Sequence, residues 1–216
     1  MAKRASSSAR RPSLDYEHAL HQAGYRWVAG VDEAGRGAWA GPVVAAAVLL
    51  PLHPNVSDSL SAVNDSKRLS PAQRAVCRQV ILHTALAWAV GSAAPEEIDT
   101  VGIVAATRLA MQRAIAGLSV QPDALLIDAL KLPDVPILQR AFNFADSISL
   151  SVAAASILAK TERDRLMQQL DAVHPGYGFA QHKGYGTRAH QHALRALGVS
   201  PAHRRSFRPV AEIEPK

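Results

Sequence analysis

The chain has one cysteine, Cys77, in 216 residues. A single thiol cannot close an internal disulfide and is too few for a cysteine-based structural zinc site, so a disulfide scaffold and a zinc ribbon are both excluded. A reducing compartment is expected. Aromatic residues are also scarce, at 5% against 48% hydrophobic residues overall. The core must therefore be built from Ala, Val, Leu and Ile. No stretch approaches the ~20 apolar residues that span a bilayer, which makes a soluble cytoplasmic protein the expectation. The N-terminal stretch MAKRASSSARRPS has Arg and Ser but no acid and no following apolar segment. It is not a secretory signal, although its composition leaves a transit peptide open. No internal repeat and no Gly/Ser linker divides the chain. The expected organisation is a disordered basic arm over 1–13, one domain over 14–210, and a short tail over 211–216.

The charge balance is one-sided, with 24 Lys and Arg against 18 Asp and Glu, a net charge of +6. A basic surface suggests an acidic partner, nucleic acid first among them. Charge alone leaves a merely soluble basic protein equally open.

Hydrophobic patterning outlines an α/β order. Trp27–Val31 is a short apolar run ending at Asp32, and Pro42–Leu50 is a longer one. Between them lies DEAGRGAWAG, too glycine-rich for a regular element, so two adjacent strands joined by a functional turn are expected. Pro51–Ser66 reads as a long loop. Ser70 followed by Pro71 marks a helix start over Pro71–His83. A third strand is expected within Thr84–Ser92, and one or two helices within Pro95–Gly117. Ala124–Ile127 is a strand ending at Asp128, and Ile137–Phe142 is another. Asp146 or Ser147 is the expected cap of a long Ala-rich helix reaching Val173, and Thr187–Leu197 forms a last helix. Two strands each end in an acid. Side by side, they would bring Asp32 and Asp128 together at one edge of a mixed sheet.

The carboxylates carry the chemistry. Adjacent acids after an apolar strand are costly to bury unless they meet a cation. The alternative for Asp32 and Glu33 is a solvated turn, and for Asp146 a plain helix cap. Gly35, Arg36 and Gly37 place exposed backbone and a guanidinium beside the acids, an arrangement suited to a phosphate or a sugar hydroxyl. Asp32, Glu33, Asp128 and Asp146, with no thiol among them, form a hard oxygen set. That favours Mg²⁺ or Mn²⁺ over zinc. Two such ions orient a water and stabilise the leaving oxygen of a phosphodiester. His190 and His192, two apart on a helix, face different directions and do not suggest zinc. Asp164, between Arg163 and Arg165, is expected in helix ion pairs, and Arg163 and Arg165 on the solvated face.

The stretch GVDEAGRGAWAGPVVAAAV, Gly30–Val48, resembles the signature of the type 2 ribonuclease H family (ribonuclease HII). NDSKRLS at Asn64–Ser70, IDAL at Ile127–Leu130, ADS at Ala145–Ser147, VAAASILAKTERDRLM at Val152–Met167, HKGYGT at His182–Thr187 and HRRSF at His203–Phe207 follow in the family's order. The resemblance covers roughly Leu14 to Val210. It implies a ribonuclease H-like fold: a mixed five-stranded sheet flanked by helices, with a helical C-terminal extension. It implies a metal-dependent endonuclease that cuts the RNA strand of RNA–DNA hybrids and also cuts 5′ of single ribonucleotides in duplex DNA. The ends left are 3′-hydroxyl and 5′-phosphate, and the roles implied are ribonucleotide and RNA-primer removal. By the same resemblance Asp32, Glu33, Asp128 and Asp146 are the metal-binding acids. Gly35, Arg36 and Gly37 match the loop that grips the ribose 2′-hydroxyl, Tyr185 the tyrosine on the sugar beside the junction, and Lys67 a phosphate contact. For Tyr185 the alternative is packing of its own loop together with Tyr177. A cluster of Arg188, His203, Arg204, Arg205 and Arg208 is placed to grip a duplex.

Ala129 follows the strand acid where the family usually has glycine, a change that ordinary dihedrals would tolerate. The C-terminal AEIEPK shows no sliding-clamp peptide, and a monomer is expected. Three rival readings fit the sequence less well. A type 3 ribonuclease H would carry an extra N-terminal domain and normally lacks an arginine between the glycines. An idle nucleic-acid binder would not need all four acids. A nicotinamide-binding enzyme would need a glycine spacing that Gly35–Gly41 does not supply.

Overall fold

The computed structural model describes residues 11–64 and 66–213. The expected N-terminal arm falls mostly outside these residues. Ser13, its last position, is part of the folded body: its N–H donates to the Ile148 carbonyl and its own carbonyl accepts from Leu150 N–H, both at 2.9 Å.

Among the described residues five strands form one mixed sheet in the order β3-β2-β1-β4-β5. β1 (Val28–Ala34) and β2 (Val43–Leu49) pair antiparallel, as do β2 and β3 (Ala87–Ala93). β4 (Ala124–Asp128) runs parallel to β1, and β5 (Leu138–Phe142) parallel to β4. Every residue of β2 is buried, as a strand covered on both faces requires. Alternate side chains divide the core in two. Ala45, Ala47, Leu49, Val31 and Ile127 meet Ala110 and Met111 of α5 (Ile103–Ala116) on one face. On the other, Ala46 and Val48 meet Ala153–Ala155 and Ile157 of α6 (Leu150–Val173) and Cys77 and Ile81 of α3 (Pro71–Thr84).

The small residues let α6 lie very close to the sheet. A methyl group built on Gly30 in β1 would overlap the backbone of Ser151 and Val152 in α6. That closeness decides which α6 side chains reach the end of β1.

The remaining helices are α1 (Asp15–Gln22), α2 (Asn55–Ser59) within the segment expected to be a loop, α4 (Pro95–Val101), α7 (Phe179–His182), α8 (Arg188–Leu197) and α9 (Arg208–Ala211). The last two form the helical C-terminal extension. Ser70 caps α3 with a reciprocal capping box, and Thr187 caps α8, as the residue types demand. α1 was not expected. Its Glu17 is buried, and Oε1 accepts from the hydroxyls of Ser149 and Ser151 and from Ser151 N–H, tying α1 to the start of α6. The α6 cap itself corrects an expectation. Ser149 Oγ, not Asp146 or Ser147, accepts from Val152 N–H, while Asp146 sits in a separate 3-10 turn, Ala145–Ser147. No helix among the described residues is long and apolar enough to cross a membrane.

Candidate active site

β1 and β4 run parallel with Val31 opposite Ile127, so the next residues, Asp32 within β1 and Asp128 at the end of β4, sit at the same level on neighbouring strands. Adjacent strands lie about 4.8 Å apart. Gly30 and Leu126 both face α6, and strand alternation puts Asp32 and Asp128 on that face too. The convergence expected from two apolar runs ending in acids is what the pairing produces.

Asp32 is buried. One oxygen accepts from Glu33 N–H at 2.7 Å, and Ser156 of α6 hydrogen-bonds the carboxylate. Ser156 in turn lies 2.9 Å from the Ser66 hydroxyl. Burial pushes the Asp32 carboxyl well above the usual range, reinforced by the charges of Glu33 and Asp128. Glu33 is raised as well, first by burial, against the pull of Arg36 and Lys67. Arg36 Nη1 reaches Glu33 Oε1 at 3.1 Å. The other oxygen, Oε2, is buried and has no hydrogen-bond partner. Asp128 Oδ1 accepts from Ala145 N–H at 2.8 Å, which holds the turn carrying the buried Asp146 beside β4. Strand β1, the end of its parallel neighbour β4 and the turn that Asp128 anchors thus bring all four expected acids into one region.

Like charges buried together, with one carboxylate oxygen unpaired, form an electrostatic hole that a hard divalent cation fits. Among the described residues no three His, Cys, Asp or Glu side chains are drawn into a closed cage. The carboxylates are turned toward Arg36, Ser156 and Ala145 N–H instead.

The glycine loop is pinned from beneath by two buried arginines. Arg163 of α6 donates from Nε to the Pro42 carbonyl at 3.0 Å and from Nη2 to the Ala40 carbonyl at 3.2 Å. Arg204 donates from Nε to the Gly41 carbonyl and from Nη1 to the Arg36 carbonyl, both at 2.9 Å. Gly35 has φ +96°, and a methyl group there would overlap the Arg163 side chain. Nothing lies within 4 Å of the methyl position on Gly37, so the loop opens outward there. The Arg163 guanidinium also lies over the Tyr185 ring, 5.4 Å from its centroid. Tyr177 is buried and donates its hydroxyl to the Gly198 carbonyl at 2.9 Å, whereas Tyr185 is 39% exposed. The two tyrosines therefore differ: one packs the loop and the other presents its ring beside Gly35. Lys67 is exposed on the 3-10 turn Ser66–Arg68 and close enough to Glu33 to lower its pKa.

Three expectations fail at this site. Arg163 and Arg204, read as solvated and as duplex-gripping, are both fully buried and hold backbone. The signal for Arg163 was in the helical period, since Ser156, Ala159, Arg163 and Met167 share one buried stripe. Ala129 does not have ordinary dihedrals; its φ is +59°, the left-handed region that favours glycine. Asp164 pairs with Lys160 at 2.6 Å as expected, and His192 is exposed while His190 is buried. Beyond Lys160, a groove of about 650 Å³ runs between α3 and α6, lined by Arg74, Arg78, Lys160, Arg165 and Lys183.

A family profile for ribonuclease HII matches residues 29–210. The ribonuclease HII of Roseiflexus castenholzii is 52% identical over 205 residues, covering 94% of this chain and 92% of that one. Among solved structures, the ribonuclease H2 of Pyrococcus horikoshii OT3 superposes with a TM-score of 0.71 at 25% identity, covering 87% of this chain and 97% of that one. Bst-RNase HIII in complex with Mn²⁺ superposes with a TM-score of 0.66 at 26% identity, covering 89% and 70%.

Proposed function

The chain belongs to the ribonuclease HII family, a ribonuclease H enzyme acting on RNA–DNA hybrids, and from that premise we propose how and where it cuts. The reaction is metal-dependent hydrolysis of the phosphodiester 5′ of a ribonucleotide, both within hybrids and at a single ribonucleotide in duplex DNA. The observation that carries this reading is the level placement of Asp32 and Asp128 on adjacent parallel strands, with Glu33 and the Asp146 turn beside them.

Asp32, Glu33, Asp128 and Asp146 would hold two divalent ions, Mg²⁺ or Mn²⁺. Such ions supply a nucleophilic water at neutral pH and neutralise the phosphoryl and leaving oxygens. The Mn²⁺ bound to the ribonuclease HIII relative supports a cation of this kind. The water oxygen bonds to phosphorus as the bond to the 3′ oxygen breaks, which leaves the 3′-hydroxyl and 5′-phosphate. No protein nucleophile is called for. Cys77 is buried in α3 with its thiol pKa pushed up by burial, and takes no part.

The protein's own work is selection and placement. Gly35, Arg36 and Gly37 present backbone to the 2′-hydroxyl, the one group that separates ribose from deoxyribose. Arg204 and Arg163 hold that loop's carbonyls inward, which favours its amides facing out. Tyr185 offers a flat face to the neighbouring sugar. Lys67 and the Lys160 groove provide cations for flanking phosphates.

The test is cleavage of labelled duplex DNA containing one ribonucleotide, with Mg²⁺, Mn²⁺ or EDTA, beside Asp128→Asn. A metal-dependent cut 5′ of the ribonucleotide that the variant loses supports the reading. Cleavage of continuous hybrid alone removes the junction role of the glycine loop and Tyr185. An Asp128→Asn protein of full activity would overturn the site.

A further inference from the structure

Beneath Tyr185 lies a histidine pair that the reaction above does not use. His190 of α8 and His203 are both buried, and His190 stacks on His182 with centroids 4.4 Å apart. His190 Nδ1 is 3.0 Å from the Tyr185 carbonyl oxygen. His190 Nε2 is 3.1 Å from His203 Nε2. His203 Nδ1 lies 2.8 Å from Ser200 Oγ and 3.1 Å from Ser200 N.

These contacts admit one pattern of protons. A carbonyl only accepts, so His190 Nδ1 carries hydrogen. A neutral imidazole has a single N–H, so His190 Nε2 is bare and accepts from His203 Nε2–H. His203 Nδ1 is then bare as well, and it accepts the backbone N–H and the hydroxyl of Ser200. The chain of donors runs one way, from Ser200 through His203 and His190 to Tyr185. Protonating either ring would set two hydrogens against each other. Burial, first, and neighbouring histidines push both imidazoles down to about 4, against backbone hydrogen bonds that pull the other way. The ionisable groups bearing on the pair are His182, His174 and the Tyr177 phenol; none of these is a carboxylate that would favour a charged ring.

The relay ends on a backbone that needs holding. Lys183 and Gly184 both have positive φ, +53° and +77°. The Gly184 carbonyl accepts from Trp39 N–H at 2.8 Å, so this turn docks on the segment leaving the glycine loop. Tyr185 itself projects outward from it over Arg163.

We infer that His190 and His203 are positioning residues, a neutral relay of fixed tautomers that sets the Tyr185 backbone and so the presentation of its ring to the sugar. The inference rests on the reading of Tyr185 as a substrate contact. Specificity for a lone ribonucleotide then depends on two histidines that never touch substrate.

The test compares kcat and KM on duplex DNA with one ribonucleotide and on continuous RNA–DNA hybrid, for wild type, Tyr185→Ala, His190→Leu, His190→Asn and Tyr185→Ala/His190→Leu. His190→Leu should lower the preference for the single-ribonucleotide duplex about tenfold, the worth of one buried hydrogen bond. His190→Asn, whose amide N–H falls near the Nδ1 position, should restore most of it. The double variant should be no worse than Tyr185→Ala. A loss in Tyr185→Ala with none in His190→Leu overturns the inference and leaves the Tyr185 reading standing. No loss in Tyr185→Ala overturns that reading and the inference with it. Independently of activity and folding of variants, long-range ¹H–¹⁵N spectra of the wild-type protein should show His190 protonated on Nδ1 and His203 on Nε2 at pH 7. Either opposite tautomer, or a charged ring, refutes the relay.

Discussion

Gly35→Ala tests the claim that buried Arg163 is the post on which the glycine loop is built. The methyl group meets two obstacles. A φ of +96° strains any residue with a Cβ, at about 1–2 kcal/mol. The new atom also overlaps Arg163 Nε and Cδ, and that side chain has nowhere to go, because its guanidinium is bonded to the Pro42 and Ala40 carbonyls in a fully buried setting. Losing one of these charge-assisted bonds adds about 1.5–3 kcal/mol. The sum, roughly 3–5 kcal/mol, is a large part of the ~5–15 kcal/mol that holds a domain folded. A thermal midpoint lowered by roughly 10 °C is expected for a chain of this size. Gly37→Ala is the internal control: its methyl position is open and its φ is not positive, so stability should stay within about 0.5 kcal/mol. Its activity should nevertheless fall, since the methyl fills the space proposed for the 2′-hydroxyl. Urea and thermal unfolding of both variants, with kcat and KM on the single-ribonucleotide duplex, settle the matter. If Gly35→Ala unfolds with the wild type, or if Gly37→Ala is the less stable of the two, Arg163 is not the post.

Ala129→Gly should stabilise the protein by about 0.5–1 kcal/mol, the relief of a left-handed alanine less glycine's greater freedom when unfolded; an unchanged or lower urea midpoint would contradict it. Asp32→Asn should abolish cleavage and yet make the metal-free protein more stable at pH 8. The raised folded pKa of this acid means that stability is present at low pH and is lost as pH rises through that value, so the two proteins should unfold alike near pH 4 and diverge above it. Adding Mg²⁺ or Mn²⁺ at about a hundred times its dissociation constant should stabilise wild type by about 2.7 kcal/mol and Asp32→Asn far less, read by thermal shift. In the Asp32→Asn background the histidine pair should dominate the slope between pH 6.5 and about 4. The unfolded chain takes up protons that the folded rings refuse, so stability is present above pH 6.5 and declines as pH falls toward 4; His203→Gln should flatten that slope in a urea series.

What the sequence made legible, and what it hid, follows from how local each cause is. That Asp32 and Asp128 follow apolar strand runs was legible because such runs are marked by neighbours along the chain, although β1 continues past Asp32 to Ala34 where the sequence suggested an irregular turn. Their level register needed the β1–β4 pairing, a contact between segments nearly a hundred positions apart. The cap of α6 was misassigned because Asp146, Ser147 and Ser149 are all competent caps. A tertiary bond, Ala145 N–H to Asp128, folds Asp146 into the preceding turn and leaves Ser149 to cap. Helix α1 was missed because its anchor, Glu17, is a buried acid whose partners Ser149 and Ser151 lie far along the chain.

The charged residues teach the sharper lesson. Arg163 sits between Glu162 and Asp164, and such a run usually means a solvated face. Glu162 pairs with Arg165 at 2.6 Å and Asp164 with Lys160, so the run does form an ion-paired surface around Arg163. Position along the helix overrides composition, because Arg163 falls on the stripe of Ser156, Ala159 and Met167 and is carried under the loop. Arg163 and Arg204 each keep one buried nitrogen without a hydrogen-bond partner. Burying them is offset by the carbonyls they hold, those of Arg36, Ala40, Gly41 and Pro42, and by the Tyr185 and Phe207 rings over which they lie. Helix packing on the sheet, made close by Gly30 and the alanines of α6, thereby fixes both Asp32 through Ser156 and the glycine loop through Arg163.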